Sequence, residues 1–262
     1  GADVRYFSVS GKDSSAEFAR DKLQEWGVKA EVFEDESRPT TLKQRFRASG
    51  KTLLRVSHLR QHDISHQIMS AFVTAVKTAL QNSDLVIFSD FNYGCLPQPL
   101  VEEISEVCRQ KNILMVADSQ SSSQVGDVSR FKDMLLLTPT EREARLAVRD
   151  FNSGLVVLAE KLRIKACSEN IILTLDSEGM IAHAASKDDG AWHTDRLPAF
   201  NTAPKDSSGA GDSLLACCSM AMAVGADIWK SMYLGSIAAA CQVSRVGNTP
   251  LSPRDIRLEL AD

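Results

Sequence analysis

The sequence has no Cys-x-x-Cys pair, no long apolar run and no excess of basic charge, and each absence removes a class of protein. Its cysteines, Cys95, Cys108, Cys167, Cys217, Cys218 and Cys241, are scattered, most of them within apolar helix or strand patterns. They read as small buried hydrophobes of a reducing compartment, not as a disulfide or zinc framework. Cys217 and Cys218 are adjacent, which on a helix points them to different faces. No stretch is apolar enough to cross a bilayer, and no charged segment followed by an apolar one opens the chain. The expectation is a cytoplasmic protein with no membrane partner. A net charge of -4 leaves no basic footprint, so nucleic acid is not an expected partner. Two nucleotide motifs are also missing: Gly-x-Gly-x-x-Gly after an early strand, and Gly-x-x-x-x-Gly-Lys-Ser/Thr. Their absence argues against a dinucleotide-dependent enzyme and against a P-loop kinase.

What is present is ordinary in bulk. With 262 residues, 44% hydrophobic and 24% charged, the chain can form one large α/β domain or a domain with a small appendage. Val4 to Val9 alternates as a strand, and Ser14 to Trp26 carries apolar residues at helical spacing up to Gly27. Val28 to Val32 and Thr40 to Ala48 alternate again, and Ser49-Gly50 turns the chain into Thr52 to Val56. Lys43, Arg45 and Arg55 charge one face of this hairpin. Two readings stay open: a solvated edge hairpin, or a small lid over a sugar or phosphate site with those cations aimed inward.

His58, His62 and His66 fall four apart; on one helix they would span about 12 Å, too far to share a metal. Asp63 reads as the cap of the helix that follows. From there short apolar strands alternate with helices. Leu85–Phe88, Ile113–Ala117, Met134–Leu137 and Ile171–Leu175 read as strands, and Met180–Ala184 as an antiparallel partner of the last. This pattern predicts a mostly parallel sheet with helices on both faces. Asp90, Asp118, Thr138 and Asp176 then gather at the carboxyl ends of the strands, where such sheets bind ligands.

The most informative stretch is Asp206-Ser207-Ser208-Gly209-Ala210-Gly211-Asp212-Ser213, followed at once by an apolar helix pattern. Glycines ahead of a helix bring the backbone close to a ligand. The first helical amides and the dipole make that end a site for phosphate or developing negative charge. Asp212 would stand beside it, able to take a proton from a substrate hydroxyl. Taken alone, the turn is equally a glycine turn with Asp212 as an ordinary first-turn carboxylate.

The whole string resembles the Asp-Thr-x-Gly-Ala-Gly-Asp signature of the ribokinase-like (phosphofructokinase B) carbohydrate kinases, with Ser207 where Thr is usual. The resemblance implies a ribokinase-like α/β fold with a small β-hairpin lid and an ATP- and magnesium-dependent sugar kinase. In it Asp212 is the catalytic base, and the Gly209, Ala210 and Gly211 amides form the anion hole. Thr140-Glu141-Arg142-Glu143 stands where the family has Asn-x-x-Glu, which implies Glu143 as the magnesium residue, acting through water. Thr174, Asp176 and Gly179 resemble a nucleotide-contacting segment, with Asp176 in place of Gly, and Gly247 and Asn248 a loop that walls the adenine pocket.

Within the family the likeness is nearest to heptose 7-phosphate kinases. Arg38 to Lys43 with Leu53 to Val56 resembles their lid, and Ser89 to Gly94 their Ser-Asp-Tyr-x-Lys-Gly segment, with Tyr93 for Lys. Ser119 and Gln120 stand where Pro and Lys are usual. The family's opening strands, with a sugar-binding aspartate and paired glycines, have no counterpart ahead of Gly1. The resemblance therefore reads 1–262 as a single kinase domain lacking its N-terminal strands, with the lid inside 28–57. It also implies a homodimer through the lid strands. The alternative is a non-catalytic nucleotide- or sugar-binding member of the same fold.

Overall fold

The computed structural model describes residues 1–48, 51–121, 125–185, 191–201 and 203–260. It divides into two compact units, residues 1–83 with 92–111, and residues 84–91 with 112–262.

In the first unit, β1 (Arg5–Ser10) and β2 (Lys29–Glu34) pair in parallel, joined by α1 (Ser14–Glu25). Asp13 caps α1, and its carboxylate also accepts from Thr40 N at 2.8 Å. The rings of Phe7 and Phe33 approach Phe72 of α2 (His66–Ala79) at 6.1 and 5.2 Å. Helix α3 (Gln98–Lys111) packs along α2. Arg38 ties the loops of this unit together. It is buried and donates to Asp35 Oδ2 at 2.7 Å, Tyr93 O at 2.8 Å and His62 O at 2.6 Å, so every part of its fork finds an acceptor.

The expected hairpin is β3 (Leu42–Ala48) with β4 (Lys51–His58), antiparallel and bulged at Phe46/Arg47. Its expected turn, Ser49-Gly50, lies outside the described residues. Residues 29–34, the first strand of the 28–57 stretch, pair with β1. The cap of α2 is Ser65, not Asp63, because the Ser65 hydroxyl accepts from Ile68 N at 3.3 Å. His58 closes β4, His62 bonds Ser37 Oγ at 2.8 Å, and His66 opens α2, so the three belong to different segments.

The second unit holds a six-stranded sheet in the order β10-β9-β8-β7-β6-β5. Strands β5 (Leu85–Asp90), β6 (Leu114–Ser119), β7 (Leu136–Leu137) and β8 (Asn170–Thr174) are parallel. Strands β9 (Met180–Ala185) and β10 (Trp192–Leu197) return antiparallel. The two-residue period of a strand sends alternate side chains to opposite faces. Val116, Leu136, Ile172, Met180, Ala182 and Ala184 share one face and pack on Leu214, Leu215, Cys218, Ile228 and Met232, which belong to α6 (Ala210–Ala223) and α7 (Ile228–Val243). On the opposite face α4 (Glu141–Val148) and α5 (Leu155–Ala166) pack on β8, and α5 also on β9. There His183 of β9 bonds Glu160 of α5 at 2.9 Å and Thr194 of β10 at 2.7 Å, and stacks on Trp192. A short α8 (Pro253–Glu259) ends the described chain.

One sequence expectation needs correction, and one strand carried no expectation. Cys167 is exposed rather than buried, and Cys95 and Cys217 are half-buried. Strand β10 had no apolar signal, because only Leu197 and the rim of Trp192 contribute to an edge that is otherwise polar. All six cysteines are thiols. No described helix is long and apolar enough to cross a membrane.

Helices α6 and α7 approach closely at Gly235. A Cβ there would overlap Cys218 Sγ and stand 2.8 Å from Leu214 Cδ1. Alanine is the better helix former by about 1 kcal/mol, whereas overpacking a core costs about 1–3 kcal/mol. Gly235→Ala is therefore expected to lower stability despite its helix propensity. Urea unfolding checks this, and a rise in the midpoint would contradict the packing argument.

Candidate active site

The expected glycine turn opens α6. Gly209 sits in the left-handed region, φ 79°, as the residue before the helix. A side chain at this position would be strained, and its Cβ would overlap Asn248 Oδ1. Asp206 organises the turn. Its Oδ1 accepts from Ser208 N at 3.1 Å and Ser208 Oγ at 2.8 Å, and its Oδ2 from Gly247 N at 3.1 Å. The amides of Lys205 and Asp206 donate to Val243 O at 2.8 and 3.3 Å. The turn and the 246–248 loop are thus both fastened to the last turn of α7. Gly209, Ala210 and Gly211 lie on one turn at the positive end of the α6 dipole; the Ala210 N–H faces Ser207 O at a long 3.5 Å.

Asp212, in the first turn of α6, feels a second acid. Asp118 lies near the end of β6 with the parity of Val116, on the sheet face that α6 covers. It is buried, and Thr138 Oγ1 lies 3.5 Å from its Oδ1. Burial, and then the charges of Glu143 and Asp212, push the Asp118 carboxyl up to about 8. Three carboxyl groups from β6, α4 and α6 are therefore within electrostatic reach of one another.

Glu143 is fixed by its helix. Thr140 caps α4 in a capping box: Glu143 N donates to Thr140 Oγ1 at 3.2 Å, and Thr140 N donates to Glu143 Oε2 at 2.9 Å. Thr140 Oγ1 also lies 2.8 Å from Oε2, and Ser121 N donates to Oε1 at 2.6 Å. Thr140 thus fills the helix-capping duty that an Asn would fill, and a hydroxyl suffices for it. Thr140 also bridges Thr174 of β8, where Thr174 N donates to Pro139 O at 3.0 Å. Asp176 adopts φ 54°, the left-handed conformation that Asp tolerates better than most residues, so it takes the place of a glycine in conformation. Gly179 follows at φ 92° and its carbonyl accepts from Leu175 N.

Asp118, Thr138, Glu143 and Asp212 thus meet at the carboxyl edge of the parallel strands, while Gly209, Gly247 and Asn248 meet at the end of α7. Asp90 shares that strand edge, accepting from Arg130 at 2.8 Å and Ser119 Oγ at 3.1 Å. Glu141 turns instead to Arg145 at 2.7 Å, an i,i+4 pair, and Arg142 is exposed on the same turn. Lys43, Arg45 and Arg55 stand on the hairpin of the first unit. Lys43 lies 5.0 Å from the Tyr93 ring centre, and Arg45 pairs with Arg55 across the strands.

The chemistry of the donor set suits magnesium. Asp118, Glu143 and Asp212 are hard oxygen donors in a net negative field, and Mg²⁺ keeps several waters around one or two carboxylates. Among the described residues no group of three His, Cys, Asp or Glu is arranged to hold a metal directly. Glu143, whose two oxygens already accept protein hydrogen bonds, is suited to hold a hydrated cation.

The pfkB family carbohydrate kinase profile matches residues 1–255. The chain belongs to the pfkB carbohydrate kinase family. It is 28% identical over 267 aligned residues to the bifunctional protein HldE of Desulfatibacillum aliphaticivorans, covering 100% of this chain and 53% of that protein. The HldE of Helicobacter hepaticus is also 28% identical, with 97% and 52% covered. The chain thus spans about half the length of these relatives. Among solved structures, phosphofructokinase-2 from Escherichia coli in complex with potassium superposes with a TM-score of 0.79 at 14% identity, covering 100% of this chain and 82% of that one. Ribokinase from Giardia lamblia gives 0.77 at 18% identity, covering 98% and 82%. The fold of this pfkB chain is ribokinase-like α/β, with the mixed sheet described above.

Sequence reasoning placed Asp118 on the rim but gave it no role; its signal was a lone acid ending an apolar strand. Asp206 was part of the signature without a structural duty, and Gln242, taken up below, gave no signal. The Asp118 shift has a measurable sign. A carboxyl that ionises near 3.8 unfolded and about 8 folded costs stability as pH rises between those values, and adds no further cost above. In metal-free buffer Asp118→Asn is expected to gain on the wild type by up to about 1.4 kcal/mol per pH unit across that window. Urea unfolding at several pH values checks it; parallel stability curves would contradict a neutral Asp118.

Proposed function

We propose that the chain transfers the γ-phosphoryl group of ATP to a hydroxyl of a sugar or sugar phosphate, with heptose 7-phosphate the first acceptor to test. The observation that carries the reading is Asp212 in the first turn of α6, directly after the left-handed Gly209, at the positive end of the helix. A substrate hydroxyl beside Asp212 would give its proton to the carboxylate as it attacks phosphorus. The amides of Gly209, Ala210 and Gly211 would receive the charge that develops on the transferred group. Magnesium, when bound through water at Glu143, supplies compensation for the phosphate charge. The loop of Gly247 and Asn248 and the segment Thr174 to Gly179 are assigned to the nucleotide.

Asp118 supports this assignment. A neutral carboxyl beside Asp212 adds no second negative charge against an incoming polyphosphate, whereas a cation would draw it into ionisation. Heptose 7-phosphate is favoured by the likeness to HldE proteins along the whole chain. Tyr93 and Gln120 in place of two lysines leave a sugar without that phosphate as the competing acceptor. Lys43, Arg45 and Arg55 are the cations this reading assigns to the acceptor. The exposed Leu42, Phe46 and Leu54 on β3 and β4 make the hairpin the surface through which two copies would pair. Six thiols agree with a cytoplasmic setting.

General-base catalysis contributes about 10²–10⁴-fold. Asp212→Asn is expected to lose activity by that factor while ATP affinity changes little. ADP release across a panel of sugars and sugar phosphates, with calorimetry for ATP, checks both arms. Near-normal turnover by the variant would overturn the assignment, and ATP binding without turnover by the wild type across the panel would favour a binding module.

A further inference from the structure

Gln242 stands on the last turn of α7 and is 1% exposed. A buried side-chain amide must find partners, since an unsatisfied one costs about 1–3 kcal/mol. Its Nε2 lies 3.4 Å from Ser208 O, 3.4 Å from Gly247 O and 3.3 Å from Asn248 Oδ1. One NH₂ group has two hydrogens, so three oxygens must share them, and shared bonds of this kind are long. The three acceptors belong to two loops. Ser208 immediately precedes Gly209 in the glycine turn, and Gly247 and Asn248 form the loop opposite. Asn248 Oδ1 is also the atom that closes the space over Gly209. The Gln242 amide is therefore the point at which both loops and their side-chain contact converge.

The other ties between these loops have different chemistry. Asp206 accepts the Gly247 amide, and Val243 O accepts the amides of Lys205 and Asp206. Each of those bonds presents an acceptor to a backbone N–H. Gln242 does the reverse, giving donors to oxygens that the loops would otherwise point at one another. Without it, two backbone carbonyls and a side-chain carbonyl would face each other with no donor between them, and the loops would move apart.

We propose that Gln242 is the positioning residue that sets the distance between the glycine turn, 206–212, and the 246–248 loop, and through it the affinity for the nucleotide. Gln242 touches no substrate; it acts through Ser208 and Asn248. The nucleotide part of the proposal rests on the kinase reading above, whereas the positioning part does not.

Two variants separate shape from donor chemistry. Gln242→Leu keeps an apolar side chain of similar bulk without donors. Gln242→Glu keeps the shape but turns an acceptor towards three acceptors. Hydrogen exchange on the full chain reads the positioning directly: in both variants peptides covering 206–212 and 246–248 should exchange at least tenfold faster, with 228–241 unchanged. For nucleotide, the Kd for MgATP should rise at least tenfold, with the acceptor KM within twofold of wild type. Gln242→Asn, which retains the NH₂ on a shorter arm, should fall between.

Unchanged exchange in the two loops of a folded variant would overturn the proposal, whatever the kinetics. A rise in the acceptor KM as large as that in the MgATP Kd would also overturn it, because that is the signature of a general packing defect. If either variant fails to fold, the other and Asn248→Ser, which removes one of the three acceptors, carry the same exchange test. Faster exchange in a protein whose wild type binds no nucleotide would keep the positioning role and reject the kinase reading instead.

Discussion

Negative charge crowded at one edge of a parallel sheet is the constraint around which this protein is built. Parallel strands bring their carboxyl ends to the same side, so acids that end them cannot avoid one another. Here Asp118 comes from β6, and the helices at that edge add Glu143 and Asp212. The fold tolerates the crowding in three ways. Glu143 receives three hydrogen bonds from Ser121 and Thr140. Asp212 lies at the positive end of a helix dipole. Asp118 has its pKa pushed up to about 8, by burial and then by the charges of Glu143 and Asp212. Each solution uses an element whose position is set by hydrophobic packing behind it, so the polar edge depends on the apolar core.

That dependence runs through α6 and α7. Both helices are rich in small residues, and their apolar sides fill the space over Val116, Leu136 and Ile172. The last turn of α7 then reaches the edge with Val243 O and the Gln242 amide, which between them hold the backbone just ahead of Gly209.

Much of this could be read from the residues alone, and the exceptions have physical causes. Short apolar strands between amphipathic helices announce a covered parallel sheet, and Gly179 with its turn announces the antiparallel return of β9. The glycine turn was legible because few residue types can occupy it. Strand β10 was not, because an exposed edge strand needs no apolar alternation to form; backbone pairing with β9 is enough. The cap of α2 fell to Ser65 rather than Asp63 because capping is decided by local backbone geometry that two nearby candidates share in sequence. Asp118 looked like any strand-ending acid, and its raised pKa arises first from burial and then from neighbours 25 and 94 positions away, Glu143 and Asp212. Gln242 was invisible for the same reason: one polar residue in an apolar helix carries no pattern, and its meaning lies in oxygens brought to it by two distant loops.

The contact at Gly235 links positions that a reader of the sequence would treat as independent. The space it leaves is already filled by Cys218 Sγ and a methyl of Leu214. In related sequences that drift away from glycine at this position, the residues at 214 and 218 must shrink in the same lineage or the two helices must part. Cys218 thus fills a space set by volume, and burial pushes its thiol up to about 12. A serine or alanine there fits the same history as the cysteine, and a larger residue does not.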